Sequence, residues 1–331
     1  MWVCQRRCTA TLASSEGASM TQHTVGLIGS GFMAATHTEA WRSLGAEIIV
    51  WSPRSAEAFA AEHGIAAVAS LEELVQSATI VDITSPTPHH AEQIRAAISA
   101  DLPIVCEKPL ARTTEIARDL VLSAEAAGTP LFPAHVVRYM EPYARAQATV
   151  ASGALGRISR ATFTREAATP ADGTWFDDDA ASGGILVDFL IHDYDQARWM
   201  LGEVQRVEAT QHPATADGVV PALVEARVEL THVGGAVTEV VGRWGPPGSG
   251  FRATFHLEGT SGSLDHDSDA ERDAASAADN EDAYRAQLRD FTDAIDDGAV
   301  ARVSAVDGLA AVRIAEAAHR SAASGAPVGL I

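Results

Sequence analysis

The feature that most constrains the fold is a glycine loop between a short apolar strand and a helix. Residues 25–28 form the apolar run, and Gly29-x-Gly31-x-x-Ala34 follows it directly. In such a setting the first glycine permits a tight turn, the second lets the backbone approach a pyrophosphate, and the third small residue lets helix and strand pack closely. The loop predicts a dinucleotide-binding turn, with a plain glycine turn as the alternative. The expected cofactor contacts in the loop are Gly29, Gly31, Phe32 and Met33.

Strand and helix patterns alternate over the first part of the chain, and this alternation predicts a parallel, doubly wound sheet. The strand patterns lie at residues 46–51, 80–84, 104–107 and 130–137, and the helical patterns at 55–63, 91–100 and 113–127.

The pattern changes after about residue 143. The strand-like runs there alternate apolar and polar residues, as in a sheet with one covered face. We predict an α/β protein with a dinucleotide-binding domain at residues 20–143 and a second domain at 144–331, in which one helix spans residues 184–201. Residues 1–19 lack the apolar core of a secretory signal, and we predict a disordered extension or an upstream start there.

Charge and composition exclude several classes of partner. The net charge of −20 argues against nucleic acid or an anionic membrane surface. No apolar run is long enough, at about eighteen residues, to predict a membrane span. Three cysteines suggest no disulfide framework, which fits a reducing cytoplasm. We expect no metal, because neither zinc-type cysteine–histidine spacing nor a calcium-type loop is present.

The end of the second strand bears on the choice of dinucleotide. An acid there would favour NAD, since it would bind the adenosine ribose. The chain instead has Trp51-Ser52-Pro53-Arg54, and Ser52 and Arg54 are suited to a 2′-phosphate. We therefore favour NADP, while NAD stays open if Arg54 is only a surface residue.

Lysine occurs once in the chain, at Lys108, beside 23 arginines. A biased base composition would explain the arginines, but a retained ammonium indicates a place where a planar guanidinium does not serve. Lys108 follows a buried strand and precedes a proline, so it should lie in the crevice where ligands bind to parallel sheets. A salt bridge to a neighbouring acid is the alternative.

Asp188 and His192 are four residues apart in an apolar helical pattern, so they should share one helix face. They form either a structural pair or a catalytic one. Alcohol oxidation needs such groups, because a hydroxyl loses a proton while its carbon gives up a hydride. A histidine would take the proton, an ammonium would stabilise the developing alkoxide, and a carboxylate would orient them.

Together these segments resemble the glucose–fructose oxidoreductase/inositol dehydrogenase/MocA family over nearly the whole chain. The matching segments, in order, are the glycine loop with His37 beyond it, Ser85-Pro86-x-x-x-His90, Glu107-Lys108-Pro109, Arg138-Tyr139-x-x-Pro142-Tyr143, Ser182-Gly183-Gly184, Asp188-x-x-x-His192-Asp193-x-Asp195, and Tyr284 ahead of Phe291.

The resemblance implies an N-terminal Rossmann domain and a C-terminal α/β domain with an open, mainly antiparallel sheet. It implies NAD(P)-linked redox chemistry on a sugar, a polyol or a related cyclic alcohol or ketone, and a homodimer or homotetramer formed through the open sheet. Lys108, Asp188 and His192 match the family's catalytic residues. His192 would be the acid/base, Lys108 would contact the reacting hydroxyl, and Asp188 would bind or orient substrate.

Further contacts follow from the same resemblance. It implies cofactor contacts from Ser85, Pro86, His90 and Glu107 as well as Lys108, and substrate contacts from Arg165, Trp175 and Tyr284. The chain departs from the family in two places. Leu190 stands where glycine is frequent, which would tighten the pocket, and the second strand lacks the frequent aspartate.

Two other functions remain open on the sequence alone. One is a glycoside-cleaving or eliminating enzyme that keeps its nicotinamide bound and regenerates it in each turnover. The other is a dinucleotide sensor without catalytic activity, against which the presence of Lys108, Asp188 and His192 argues.

Overall fold

The computed structural model describes residues 23–269 and 278–330, and the side chains of that range except those of 278–282. The predicted extension at 1–19 lies outside the described residues, as do residues 270–277. No helix within the described part is both long and apolar enough to cross a membrane.

Six strands form a fully parallel sheet in the order β3-β2-β1-β4-β5-β6. They are β1 Thr24–Ile28, β2 Glu47–Trp51, β3 Ala66–Ala67, β4 Ile80–Ile83, β5 Ile104–Glu107 and β6 Leu131–Ala134. Strands β4, β5 and β6 are buried at every position, which explains their nearly continuous apolar sequences. The predicted doubly wound sheet is confirmed.

Five helices connect these strands: α1 Phe32–Ser43, α2 Ala56–His63, α3 Leu71–Ser77, α4 His90–Ser99 and α5 Thr114–Ala127. The bounds of α5 follow from its sequence. The Thr113 side chain accepts a hydrogen bond from the N–H of Ile116 at the start, and Gly128 adopts a left-handed φ of 71° at the end.

Seven strands form a second, mixed sheet in the order β12-β11-β7-β10-β9-β8-β13. They are β7 Ile158–Ala168, β8 Val204–His212, β9 Val224–His232, β10 Val237–Gly245, β11 Arg252–Gly259, β12 Gly262–Asp267 and β13 Val328–Gly329. Among the described strand pairs of this second sheet, only β7–β10 is parallel. Burial alternates along β9, as predicted for a sheet with one covered face.

The helices of the second half pack on this sheet or on elements of the first half. They are α6 Glu141–Ala151, α7 Asp179–Ser182, α8 Ile191–Leu201, α9 Ala278–Asp297 and α10 Ala305–Ser324. Helix α10 begins with a capping box between Ser304 and Asp307. It packs on α5 and β6 as well as on α8 and β8, and α9 packs on α1.

The single helix predicted over residues 184–201 is divided in the structure. Residues Ile185–Phe189 form a π-helical turn, and α8 begins only at Ile191. The N–H of Leu190 bonds to the carbonyl oxygen of Ile185, five residues back. Turns of this type are frequent at functional sites, and this one carries Asp188.

Candidate active site

A cleft of about 730 Å³ opens at the carboxyl ends of the parallel strands. The glycine loop, the end of β2 and the loop after β4 form one side, and Glu107 at the end of β5 and Lys108 after it form the floor. Trp175, Phe176 and Asp188 close it from the second half of the chain. The strand order reverses between β1 and β4, which is where open parallel sheets bind ligands.

The glycine loop is shaped to receive an anion. Gly29 has a φ of +122°, and a Cβ atom there would lie 2.8 Å from Thr84 Oγ1, so no other residue fits without strain. Helix α1 starts after Gly31 with no side-chain cap, and its first N–H groups are free to bind phosphate oxygens. Phe32 and Met33 also line the cleft, and Phe32 is 83% exposed.

The end of β2 also reaches the cleft, through Ser52 and Arg54. Ser52 Oγ accepts a hydrogen bond of 2.9 Å from Ser30 Oγ of the glycine loop. Arg54 is exposed, and within the described part of the chain no carboxylate pairs with it. Both residues therefore line the part of the cleft where the sequence predicts the adenosine ribose.

The loop after β4 contributes Ser85 and Pro86 to the cleft wall. His90 is fully buried behind them, where its ring nitrogens lie 2.8 Å from the carbonyl oxygen of Ser85 and 2.9 Å from that of Pro109. Burial lowers the pKa of His90 below 6.5. His90 therefore connects two loops of the cleft and is not part of its lining.

Lys108 lies on the floor of the cleft, where its ammonium faces Asp188. Nζ donates to the Asp188 carbonyl oxygen at 3.1 Å and to Oδ1 at 3.3 Å. Burial raises the pKa of the Asp188 carboxyl above 3.8, although the nearby ammonium opposes the shift. The two alternatives for Lys108 are thus both realised, since it forms a salt bridge and also lines the cleft.

His192 lies in the first turn of α8 and is half-buried. Burial, together with the positive charges of Lys108 and Arg165, lowers its pKa well below 6.5. The ring is therefore neutral at physiological pH and able to accept a proton. Its Nδ1 atom has no hydrogen-bond partner among the described residues. Among the described residues no hydrogen bond joins His192 to Asp188, and the charge of Lys108 acts to lower the pKa of both groups.

Of the three further residues expected to contact substrate, only Trp175 lines the cleft. Its ring lies 4.2 Å from that of Phe176. Arg165 is buried outside the lining, where its guanidinium makes bonds of 2.7 and 2.9 Å to Asp193. Tyr284 lies in α9 with its ring 5.8 Å from that of His37, and it does not line the cleft either.

Leu190 fills a space between helix and sheet. It is fully buried, and a Cβ atom at Gly242 on β10 would lie 2.7 Å from its Cδ2 atom. Leu190 packs on Gly242 and does not line the cleft, contrary to the expectation that it would tighten the pocket.

A buried network beneath Lys108 was not predicted from the sequence. His37 Nδ1 lies 2.8 Å from Asp82 Oδ2, and His37 Nε2 lies 3.1 Å from Glu107 Oε1. Trp41 Nε1 donates to the same Asp82 oxygen. The signals in the sequence were the aspartate within the otherwise apolar strand β4 and His37 beyond the glycine loop.

No group of three or more His, Cys, Asp or Glu side chains is placed to hold a metal ion in residues 23–269 and 278–330.

Comparisons with known proteins agree with this fold. Residues 23–135 match the model of an oxidoreductase family with an NAD-binding Rossmann fold. Residues 143–265 match the GFO/IDH/MocA C-terminal domain, and residues 274–330 match an oxidoreductase C-terminal alpha/beta domain. The class is thus that of NAD-binding oxidoreductases. Within this class, the chain belongs to the GFO/IDH/MocA family, as the motifs suggested.

The similarity extends over whole chains. Myo-inositol dehydrogenase Hyg17 of Streptomyces leeuwenhoekii is 30% identical over 91% of this chain and 98% of its own. The structure of GenD2 from gentamicin A biosynthesis, in complex with NAD, has a TM-score of 0.84 at 25% identity and covers 96% of this chain and 99% of that one. Levoglucosan dehydrogenase in complex with NADH and levoglucosan has a TM-score of 0.83 at 25% identity, over 94% of this chain and 100% of that one.

Proposed function

We propose that this protein is an NAD(P)-dependent dehydrogenase that oxidises a ring hydroxyl of a sugar, polyol or related cyclic alcohol, or reduces the corresponding ketone. The observation that carries the proposal is the position of Lys108 at the cofactor cleft, with its ammonium on Asp188 and beside the neutral His192. Similarity to myo-inositol and levoglucosan dehydrogenases supports this substrate class.

The residues present fit a nicotinamide dinucleotide. The close approach at Gly29 and the uncapped start of α1 suit a pyrophosphate. The cleft runs from there past Ser85 to Lys108. The nicotinamide, when bound, supplies the hydride acceptor or donor.

Lys108 and Asp188 of the cleft, together with His192 outside its lining, transfer the proton and stabilise the charge on oxygen. His192 accepts the proton of the reacting hydroxyl, because its imidazole is neutral. The Lys108 ammonium stabilises the negative charge that develops on this oxygen. Asp188 holds the ammonium in position through two acceptor atoms. In the reducing direction His192 returns the proton.

We further propose NADP as the preferred dinucleotide. Arg54 is exposed at the cleft and pairs with no carboxylate of the described part, and Ser52 lies beside it. Both suit a 2′-phosphate, while an acid that would repel it is missing at the end of β2.

Domain organisation, assembly and location are also proposals. Residues 20–143 and 144–331 would be the dinucleotide-binding and substrate domains. The face of the second sheet that carries the exposed residues of β8 and β9 would pair with another copy in a homodimer or homotetramer. The buried free thiol of Cys106 is consistent with a cytoplasmic location. Light scattering of the purified protein would measure the assembly.

The decisive experiment has two steps. The affinities of the full-length protein for NADP⁺ and NAD⁺ are compared first, and a panel of cyclic polyols and sugars is then assayed with the tighter one. Appearance of reduced cofactor with a member of the panel is expected. Cleavage of a glycoside without net reduced cofactor would instead indicate a recycled nicotinamide, and lack of dinucleotide binding would refute both.

A further inference from the structure

Five ionisable side chains of alternating charge type form a line from the middle of the parallel sheet to the cleft. In order they are Asp82, His37, Glu107, Lys108 and Asp188. The gaps between charged groups are 2.8 Å from Asp82 to His37, 3.1 Å from His37 to Glu107 and 3.3 Å from Lys108 to Asp188. The link between Glu107 and Lys108 is a main-chain hydrogen bond of 3.1 Å.

The inner end of the line is fully buried. Asp82 lies on the central strand β4 and His37 on α1, both with no exposed area. A buried carboxylate is costly unless it is paired, and an apolar pair of similar volume is often at least as stable. Stability alone therefore does not explain this network. Its contact with Lys108 on the floor of the cleft, through Glu107, points to a role in the site.

His37 carries the positive charge between the buried carboxylates of Asp82 and Glu107. Burial disfavours its charge, but Asp82 and Glu107 outweigh that effect and raise the pKa of His37 to about 10. Both ring nitrogens therefore carry protons at neutral pH and both donate. The Asp82 carboxylate also accepts a bond of 2.6 Å from Trp41 Nε1.

Both carboxylate oxygens of Glu107 accept hydrogen bonds, one from His37 and one from Lys108. Oε1 accepts from His37 Nε2, and Oε2 accepts from the main-chain N–H of Lys108. Two bonds of this kind fix the plane of the carboxylate, and the carboxylate in turn fixes the peptide from which the Lys108 side chain starts.

We propose that His37 is a positioning residue for Lys108: its imidazolium holds the Glu107 carboxylate, and Glu107 holds the main chain of Lys108 and faces its ammonium. This inference rests on the role proposed above for Lys108.

The ionisation of Glu107 depends on this contact. Burial raises the pKa of the carboxyl, but the bond and charge of His37, followed by Lys108, hold it below 4.5. The other groups that face Glu107 are His90 on α4, His135 after β6, Asp188 on the π-helical turn, Tyr284 on α9, and its neighbour Cys106. Without His37 the effect of burial should prevail and raise the pKa of the Glu107 carboxyl. Glu107 would then be protonated at a higher pH than in the wild-type protein.

The first test needs no substrate. Infrared difference spectra between about pH 6 and about pH 9 are recorded on the full-length protein, the His37→Gln variant and the His37→Gln/Glu107→Gln double variant. A protonated-carboxyl signal is expected in His37→Gln, and part of it should vanish in the double variant. That part belongs to Glu107, because Asp82 remains in both. Identical spectra for the two variants would overturn the proposal.

The second test uses turnover. In His37→Gln we expect kcat to fall roughly tenfold or more at the pH where Glu107 is protonated and to recover at higher pH, with little change in KM. The double variant should lose the pH-dependent part. A uniform loss at all pH values, parallel to the wild type, would indicate a merely structural histidine and overturn the proposal.

A third variant, Glu107→Gln, tests the proposal in the event that His37→Gln does not fold. Glu107→Gln keeps the shape of the side chain and removes its charge, so it should lower kcat. Wild-type kcat in Glu107→Gln would overturn the proposal. If the wild-type protein oxidises no polyol, the proposed function fails, and the infrared result still decides whether His37 sets the charge of Glu107.

Discussion

The Lys108 ammonium donates to both the carbonyl oxygen and the carboxylate of Asp188, 80 residues further along the chain. This contact joins the end of β5 to the π-helical turn Ile185–Phe189, and so closes the floor of the cleft from both halves of the chain. Lys108 is thereby held at two points, because its main-chain N–H also donates to Glu107.

Replacing Lys108 with methionine should remove most of the activity and leave dinucleotide binding in place. Methionine keeps the length of the side chain but loses the charge that we propose stabilises the oxygen, a loss worth about 10²–10³ in kcat in comparable cases. Steady-state kinetics and a binding titration on the same preparation measure the two effects.

Lys108→Arg is the matched control for charge. Its planar guanidinium cannot place one compact donor between the two Asp188 oxygens, so activity should stay low although the positive charge remains. Full activity in either variant would contradict the role of Lys108.

The pH dependence of oxidation should reflect the neutral state of His192. A base is active when it is unprotonated, and burial with nearby positive charge lowers the pKa of His192 well below 6.5. We therefore expect kcat/KM for alcohol oxidation to stay level from about pH 8 down to about pH 6.5 and to fall only below that. An acidic limb centred above 6.5 would speak against this assignment.

His192→Gln tests the same group by removal. Glutamine fills similar space but does not accept a proton near neutral pH, so kcat should fall by about 10²–10⁴. Dinucleotide affinity should be retained, because His192 does not line the cofactor cleft. A variant that oxidises substrate at the wild-type rate would exclude His192 as the base.

Arg54→Ala should weaken NADP⁺ binding and spare NAD⁺. A hydrogen bond to a charged group contributes about 1.5–3 kcal/mol, so Kd for NADP⁺ should rise by roughly tenfold or more. Arg118→Ala, an exposed arginine on α5 outside the cleft, is the control and should change neither Kd. Equal affinity of the wild-type protein for the two dinucleotides would remove the basis for an NADP preference.

Much of the fold and part of the site were predictable because their signals are local. The glycine loop, the alternation of strands and helices, and the position of Lys108 after a strand all depend on short-range patterns. Arg165 shows the limit: its type and approximate region suggested a substrate contact, but Asp193, which lies 28 residues away, occupies its guanidinium. Tyr284 likewise lies on His37, from which more than 200 residues separate it in the chain.

The π-helical turn also escaped prediction for a physical reason. Its sequence from Ile185 to Phe189 has the apolar spacing of an ordinary helix, and one additional residue in the turn leaves no mark in that pattern. The effect on the site is substantial, since Asp188 and His192 no longer share one regular helix face and both approach Lys108 instead.

The Arg165–Asp193 pair gives a prediction about stability. Arg165 is 3% exposed and Asp193 is fully buried, so Arg165→Met would leave a buried carboxylate without its partner. The free energy of unfolding should fall by about 3–5 kcal/mol, measured by urea denaturation.

Two controls separate the buried charge from simple loss of packing. The double variant Arg165→Met/Asp193→Leu removes both charges and should recover most of the loss, because an apolar pair of similar volume is often neutral or stabilising. Arg206→Met breaks a pair with Glu208 at 2.7 Å in which both side chains are about half exposed, and it should cost less than about 1 kcal/mol. If the double variant is as unstable as Arg165→Met, the guanidinium stabilises the fold through its packing, and the ion pair is not the cause. In that case the ion pair with Asp193 would no longer explain why Arg165 lies outside the lining of the cleft.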